Sequence, residues 1–301
     1  MWAKTWGFFS RRKISTSCTS LRAKPKRKGA IHISRKLAAP YFFWLTVFVI
    51  APLIIVVVFA FTGENGGVTL DNFKSMWEFR PVFAASFRLA FYATAICLLI
   101  SYPIAYVVSR ETPQVQSVFM VLLMVPMWIN FLLRTYAWMS ILENNGLLNK
   151  LLVLLGIGKV SIINTEAAVA LGMVYNYLPF MLLPILTVLQ KLDRSLLEAS
   201  SDLGANGVRT FLRVVFPLSL PGVLSGVTMV FVPSVSTFVI SKLLGGGKTL
   251  LLGDLIEMQF LGNAYNPYIG SAVSIVMMLI VLVCMFVMNK FGDGGEETSM
   301  F

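Results

Sequence analysis

What this chain has least of narrows it first. One histidine, His32, and three cysteines, Cys18, Cys97 and Cys284, stand in 301 residues. The cysteines make no C-x-x-C pair and no even framework, which excludes a disulfide scaffold and a thiolate metal site. A lone imidazole argues no histidine metal site. No Ser/His/Asp set is placed for nucleophilic chemistry, so the chain reads as a non-enzyme. Charge is scarce as well: 13% of the residues are charged and 57% are hydrophobic. Mean hydropathy is +0.77. A soluble globule carries about 25% charged residues, so this composition points to an all-α polytopic membrane protein.

Acids are missing altogether from residues 1–37, which hold 11 of the 25 Lys/Arg. The rest of the chain carries 14 of each sign, so the net charge of +11 belongs wholly to a tail, residues 1–36. A basic tail directly before an apolar run is the positive-inside signal of a cytoplasmic N-terminus, and it can touch anionic lipid. It is not read as a nucleic-acid arm. Nor is it a secretory signal: the following apolar run is too long and lacks a small-residue cleavage site. Ser10-Arg11-Arg12 faintly resembles a twin-arginine signal, but the apolar run comes too late for one. The tail is expected to be disordered.

Long apolar runs are what the sequence has in abundance. About 20 helical residues cross the hydrocarbon, and six segments qualify, at about 37–61, 86–109, 115–141, 167–190, 217–241 and 266–289. Together they make a transmembrane domain over 37–290, followed by a short cytoplasmic C-terminus, 291–301. With the N-terminus inside, 17 Lys/Arg fall on the cytoplasmic side and six outside, while Arg88 and Arg134 lie within spans. That bias agrees with the orientation. Both intramembrane arginines stand toward the outer ends of their spans and are expected to snorkel. Prolines 52, 103, 126, 179, 184 and 233 lie inside spans, where each frees a carbonyl that neighbours or water must satisfy. Outside, Leu151–Ile157 is too short to span and reads as an interfacial helix. Gly245-Gly246-Gly247-Lys248-Thr249 resembles half a phosphate loop. The first glycine of that motif would fall on Lys242, so the segment reads as a flexible turn.

One island of charge and turn residues interrupts the apolar pattern, at 191–222 between the fourth and fifth spans. Leu192, Leu196, Ala199 and Leu203 form a narrow helical stripe, Gly204–Gly207 break it, and Val208, Phe211, Leu212 and Val215 start a second. Two short amphipathic helices joined by a turn on the cytoplasmic face make a surface for docking a partner. The local alternative is a capping box, Ser195 with Glu198, in which Glu198 serves only its own helix.

Glu198-Ala199-Ser200, Gly204, Val214 and Pro217 resemble the EAA loop of binding-protein-dependent ABC importer permeases. Ser200 replaces the second alanine and Phe216 the usual leucine. The resemblance implies the type I permease fold, with Glu198, Ala199, Ser200, Asp202, Leu203, Gly204, Ala205, Arg209, Phe211 and Pro217 in a coupling helix seated on an ATPase subunit. From about Pro40 to Lys290 the chain is also similar to B-type subunits of the spermidine/putrescine permease family. That similarity rests on Leu122–Asn130, Leu133–Trp138, Asn145–Asn149, Tyr177–Met181, Leu243–Gly247 and Leu251–Ile256, among others.

The resemblance implies import of linear polyamines through a prokaryotic inner membrane. It implies an ABC ATPase dimer that holds the ATP and Mg²⁺, a second homologous permease and an extracytoplasmic polyamine-binding protein, with no cofactor in this chain. Ammonium groups on an alkyl chain call for carboxylates and aromatic faces. Tyr136, Trp138, Glu143, Tyr175, Tyr177, Asp254 and Glu257 supply them near the outer half of the bundle. An aromatic belt and solvated loops would place the same residue types there. Import of another solute, an inorganic anion or ferric iron, stays open at this level. A secondary transporter fits less well, since carboxylates are nearly absent from the middle of the spans.

Overall fold

The computed structural model describes residues 35–63, 66–262 and 265–292, and the basic tail lies outside them. The described residues are overwhelmingly helical and hold no strand beyond an isolated bridge, Thr62 to Val68. Among the described residues, those up to Val49 belong to one compact unit and those from Ile50 to a second. The first unit carries helix Arg35–Leu45, whose Trp44 sets its ring 5.5 Å from that of Phe48 in the turn that follows.

Among the described residues, five helices are long and apolar enough to cross a membrane: Pro40–Phe61, Asp71–Ser109, Glu166–Gln190, Gly207–Ser236 and Pro267–Met288. A sixth crossing exists only as a bent pair, because the predicted span at 115–141 is broken. Helix Pro113–Trp128 stops at Ile129, and the chain turns by 87° into Phe131–Leu142. The cause is local. Pro126 removes a backbone donor from the last turn. Ile129 and Asn130 are extended, and the Asn130 side chain accepts the Leu132 N–H at 2.8 Å, starting a new helix. The fifth predicted span is broken as well. It ends at Ser236, passes an extended Thr237, and resumes as Val239–Leu244.

The core lies where helices 80–109, 166–190 and 216–236 meet. Leu89, Ala93 and Cys97 pack there with Met181, Leu182, Ile185 and Leu186. Close approach is bought by small residues: a Cβ on Gly226 would come within 2.8 Å of the Met181 sulfur, and one on Gly222 within 2.9 Å of the Pro184 carbonyl. A smaller cluster, Ala90, Val235, Leu252, Leu255 and Val273, seals the far end.

The loops hold more structure than their composition implies. Between the first two predicted spans the chain forms helix Asp71–Met76. The short apolar piece forms Leu147–Leu154, and 242–263 contains helix Leu252–Leu261. The glycine turn is packed rather than flexible: Asn164 donates its N–H to the Leu244 carbonyl at 2.8 Å and lies directly against Gly246.

Candidate functional site

At the end where 166–190 gives way to 216–236, the chain makes two short helices, Arg194–Asp202 and Gly207–Thr210. Asp193 caps the first, accepting the Ser195 N–H at 3.0 Å. Hydrogen bonds from the Ser195 backbone and hydroxyl hold its carboxyl below the usual carboxylate range. This corrects the capping-box alternative. With Asp193 at the cap, Ser195 is the second residue of the helix and Glu198 the fifth, too far along to bond the cap. Glu198 is exposed and makes no hydrogen bond or ion pair among the described residues.

The turn is set by backbone geometry. Gly204 has φ +77°, a conformation that costs a residue with a Cβ about 1–2 kcal/mol. Its N–H reaches the Ser201 carbonyl at 2.9 Å, and that of Ala205 the Ser200 carbonyl at 3.1 Å, closing the helix end. Asn206 then caps the second helix by accepting the Arg209 N–H at 2.9 Å. A hydroxyl pair, Ser200 with Thr210 at 2.9 Å, clips the two helices together.

Phe211 ties this pair to the bundle. Its ring stands edge-on to Tyr102 (5.6 Å, 87°) and to Tyr106 (5.3 Å, 89°), both on helix 80–109. Arg110 lies 4.3 Å over the Tyr106 ring, and Tyr102 shares a 2.7 Å hydrogen bond with Ser219. The two tyrosines carry no motif that marks them in the sequence. Aromatic spacing at i, i+4 on the facing helix was the one available signal.

The apolar stripes divide between two faces. Leu192, Leu197 and Phe211 pack on the core. Leu196, Leu203, Val208 and Leu212 are exposed, Leu203 to 88%. The stripe read as Leu192–Leu196–Ala199–Leu203 is therefore not one face of contact: only Leu192 turns inward. A groove of about 410 Å³ runs along the outer face past Leu196, Ala199, Leu203, Gly204 and Arg209. Glu198 instead borders a cavity of about 500 Å³ with Tyr106, Arg110, Glu111 and Gln190. Asp202 and Pro217 are exposed, and Ala205 is half-buried.

At the far end the sequence-selected aromatics and acids separate into pairs. Trp138 and Tyr175 meet, ring centroids 5.2 Å apart at 63°. Tyr177 is buried, its hydroxyl donating to the Pro233 carbonyl at 3.5 Å. Tyr136 and Glu143 are exposed. Glu257 takes a bond from Lys242 at 2.8 Å.

Asp254 lies in no solvated loop. It is buried, accepts the Leu251 N–H at 2.9 Å, and sits on a helix whose Leu252 N–H donates to Ser86 at 2.8 Å. Burial pushes its carboxyl above the ordinary value, opposed by hydrogen bonds from Ser241 and Leu251. Arg88 pairs with Glu166 at 2.6 Å. Among the described residues no group of three or more His, Cys, Asp or Glu could hold a metal.

The family described as binding-protein-dependent transport system inner membrane component matches residues 99–293. The chain is 38% identical over 258 residues to a spermidine/putrescine transport system permease protein, PotB, of Haemophilus influenzae, covering 82% of this chain and 89% of that one. The Escherichia coli PotB is 36% identical over 248 residues, covering 79% and 90%. In structure, a bacterial ABC transporter involved in the import of the acidic polysaccharide alginate superposes with TM-score 0.74 at 15% identity, over 87% of this chain and 95% of that one. The MetNI methionine ABC transporter does so with TM-score 0.54 at 17% identity, over 73% and 97%. At such identities these two likenesses concern the fold, which is that of an ABC importer permease.

Proposed function

The chain belongs to the family of binding-protein-dependent transport inner membrane components, and on that footing we propose that it carries spermidine and putrescine inward as one membrane subunit of an ATP-driven importer. The polyamine part rests on 38% identity to a permease so described. The coupling part rests on one observation: the helix pair 194–210 and the turn after it keep Leu196, Leu203, Val208 and Leu212 out of the core. Burying apolar surface is the main gain available to such a pair, so an uncovered apolar face beside an unpaired Glu198 is a docking face. An ATPase subunit occupies it, one of a pair that holds ATP and Mg²⁺. That places 191–222 and both termini in the cytoplasm.

Force from the ATPase enters through a short lever. Gly204 fixes the angle between the two helices, Ser200 and Thr210 hold it, and Phe211 passes any tilt to Tyr102 and Tyr106 on helix 80–109. At the far end the Trp138–Tyr175 faces receive an ammonium group delivered by the binding protein. Tyr136, Glu143 and Glu257 line the approach. Asp254 holds that end together. The test is uptake of radiolabelled spermidine and putrescine into vesicles containing the full complex, with sulfate and ferric iron as control solutes. Uptake of a control solute without spermidine would overturn the polyamine assignment.

A further inference from the structure

Two cations, Arg88 and Arg134, lie within the spans read from the sequence. Arg88 has its carboxylate, Glu166, at 2.6 Å. Arg134 has none: its Nε and Nη1 are shut off from solvent and find no hydrogen-bond partner among the described residues. A guanidinium cannot shed its charge by deprotonating, and a buried ion without a counter-charge is among the costliest arrangements a protein can hold. Snorkelling, the role expected from the sequence, leaves the charged head wet. Here Nε and Nη1 are covered and only part of the head is left open, which asks for a partner beside water.

Among the described residues no acid is bonded to Arg134, and Glu143, the unpaired acid at the C-cap of the same helix, stands nine residues farther along, about 13 Å by helix rise. Glu166 is engaged by Arg88, Glu257 by Lys242, and Asp254 by the Leu251 N–H. The solute read above cannot serve either, because a polyamine is itself a cation; that step rests on the proposed function. Arg134 also sits in a part of the chain poorly covered by its own neighbours. Helix Pro113–Trp128 buries none of its residues, and Leu132, Leu133 and Tyr136 around Arg134 are exposed. Lipid tails could cover the leucines but offer a guanidinium nothing. A lipid phosphate would be met by a side chain stretched to the interface, with its nitrogens open.

We propose that Arg134 receives a carboxylate carried by a membrane helix of the second permease subunit, making it a charged anchor of the contact between the two permeases. The break at Ile129–Asn130 gives this its geometry: the 87° turn takes Arg134 off the line of helix 113–128 and places it in the first turn of a new helix.

The test uses the full complex, purified by a tag on this chain, with Arg134→Gln, Arg134→Glu and Arg134→Lys. The second permease recovered per copy of this chain should fall roughly tenfold or more in the Gln and Glu variants. It should be largely kept in the Lys variant, with this chain's level in the membrane unchanged. Reversing one acidic residue of the second permease to lysine should restore recovery to Arg134→Glu. If Arg134→Glu fails to accumulate, Arg134→Gln decides. Full recovery with Arg134→Gln would overturn the proposal, and so would a loss repaired by adding anionic phospholipid. These readouts count subunits and not solute, so they stand apart from the uptake assay that tests the polyamine assignment.

Discussion

The coupling pair 194–210 and the far-end pair 239–261 are both short helical excursions at the ends of helix 216–236, and they treat their own side chains in opposite ways. The far-end pair turns inward. Ile240, Leu244, Leu252 and Leu255 are buried, Asp254 caps its own helix, and Ser86 of helix 80–109 holds the Leu252 N–H. A Cβ on Gly253 would meet the Ser236 carbonyl at 2.5 Å, so the pair is wedged against the span it follows. The coupling pair turns outward. It is tied to the bundle chiefly by Leu192, Leu197 and Phe211, and it leaves Leu196, Leu203, Val208 and Leu212 uncovered. Two short helical excursions thus differ in what completes them. One is finished by its own chain and the other waits for a second.

The sharpest way to break this contrast is at the outward pair. Glu198→Lys should abolish most spermidine uptake, since spoiling one partner of a buried charge pair costs about 2–5 kcal/mol at an interface. Gly204→Val should act alike by straining the φ +77° turn. Leu203→Ser separates docking from folding: it should lower ATPase recovered with the complex while leaving the melting temperature of the isolated chain unchanged. ATPase recovery and uptake, measured together, check all three. Normal values with Glu198→Lys would mean that the outward face serves something else.

The inward pair should answer in stability instead. Asp254→Ala orphans the Leu251 N–H in a buried setting, at a cost of roughly 1–3 kcal/mol, visible as a lower melting temperature of the purified chain in detergent. Its pH response has a definite sign. Burial raises the folded-state value of Asp254 above the ordinary carboxylate value, so the protonated form favours folding. The stability contribution is fully present below the ordinary value and is lost as pH rises through it toward the raised one. Asp254→Asn keeps an acceptor without the charge and should flatten that part of the profile. An unchanged profile would show that Asp254 titrates as an exposed acid.

How much of this was legible depends on how far apart the cooperating residues lie. The coupling segment was readable because Glu198, Gly204 and Pro217 stand in one short stretch with a turn glycine at its hinge. The spans were readable from run length, except where Pro126 and Asn130 together broke one, and the sequence there stays apolar straight through the break. Periodicity found the stripe over Leu192–Leu203 but could not say which side another chain would cover. Leu197, off that stripe, is the residue that turns inward. Ser86 with Leu252 and Arg88 with Glu166 were out of reach, being contacts across 166 and 78 positions that no local pattern encodes.

The smallest expected effects lie along the proposed path at the far end, at the Trp138–Tyr175 contact and at Glu257. Trp138 and Tyr175 already meet edge to face, so each ring has a structural contact to lose as well as a face to offer. Trp138→Ala should weaken apparent spermidine affinity by a few fold, in keeping with about 0.5–2 kcal/mol for a cation–π contact. Trp138→Phe should restore most of it by keeping a π face. Glu257→Gln should do less again, because its carboxylate is already engaged by Lys242 at 2.8 Å in an exposed setting, where such pairs contribute about 0–1 kcal/mol. Concentration dependence of uptake checks the order. If Glu257→Gln proved more harmful than Trp138→Ala, the solute would be meeting the carboxylate before the rings. Lys242 would then be the residue it displaces.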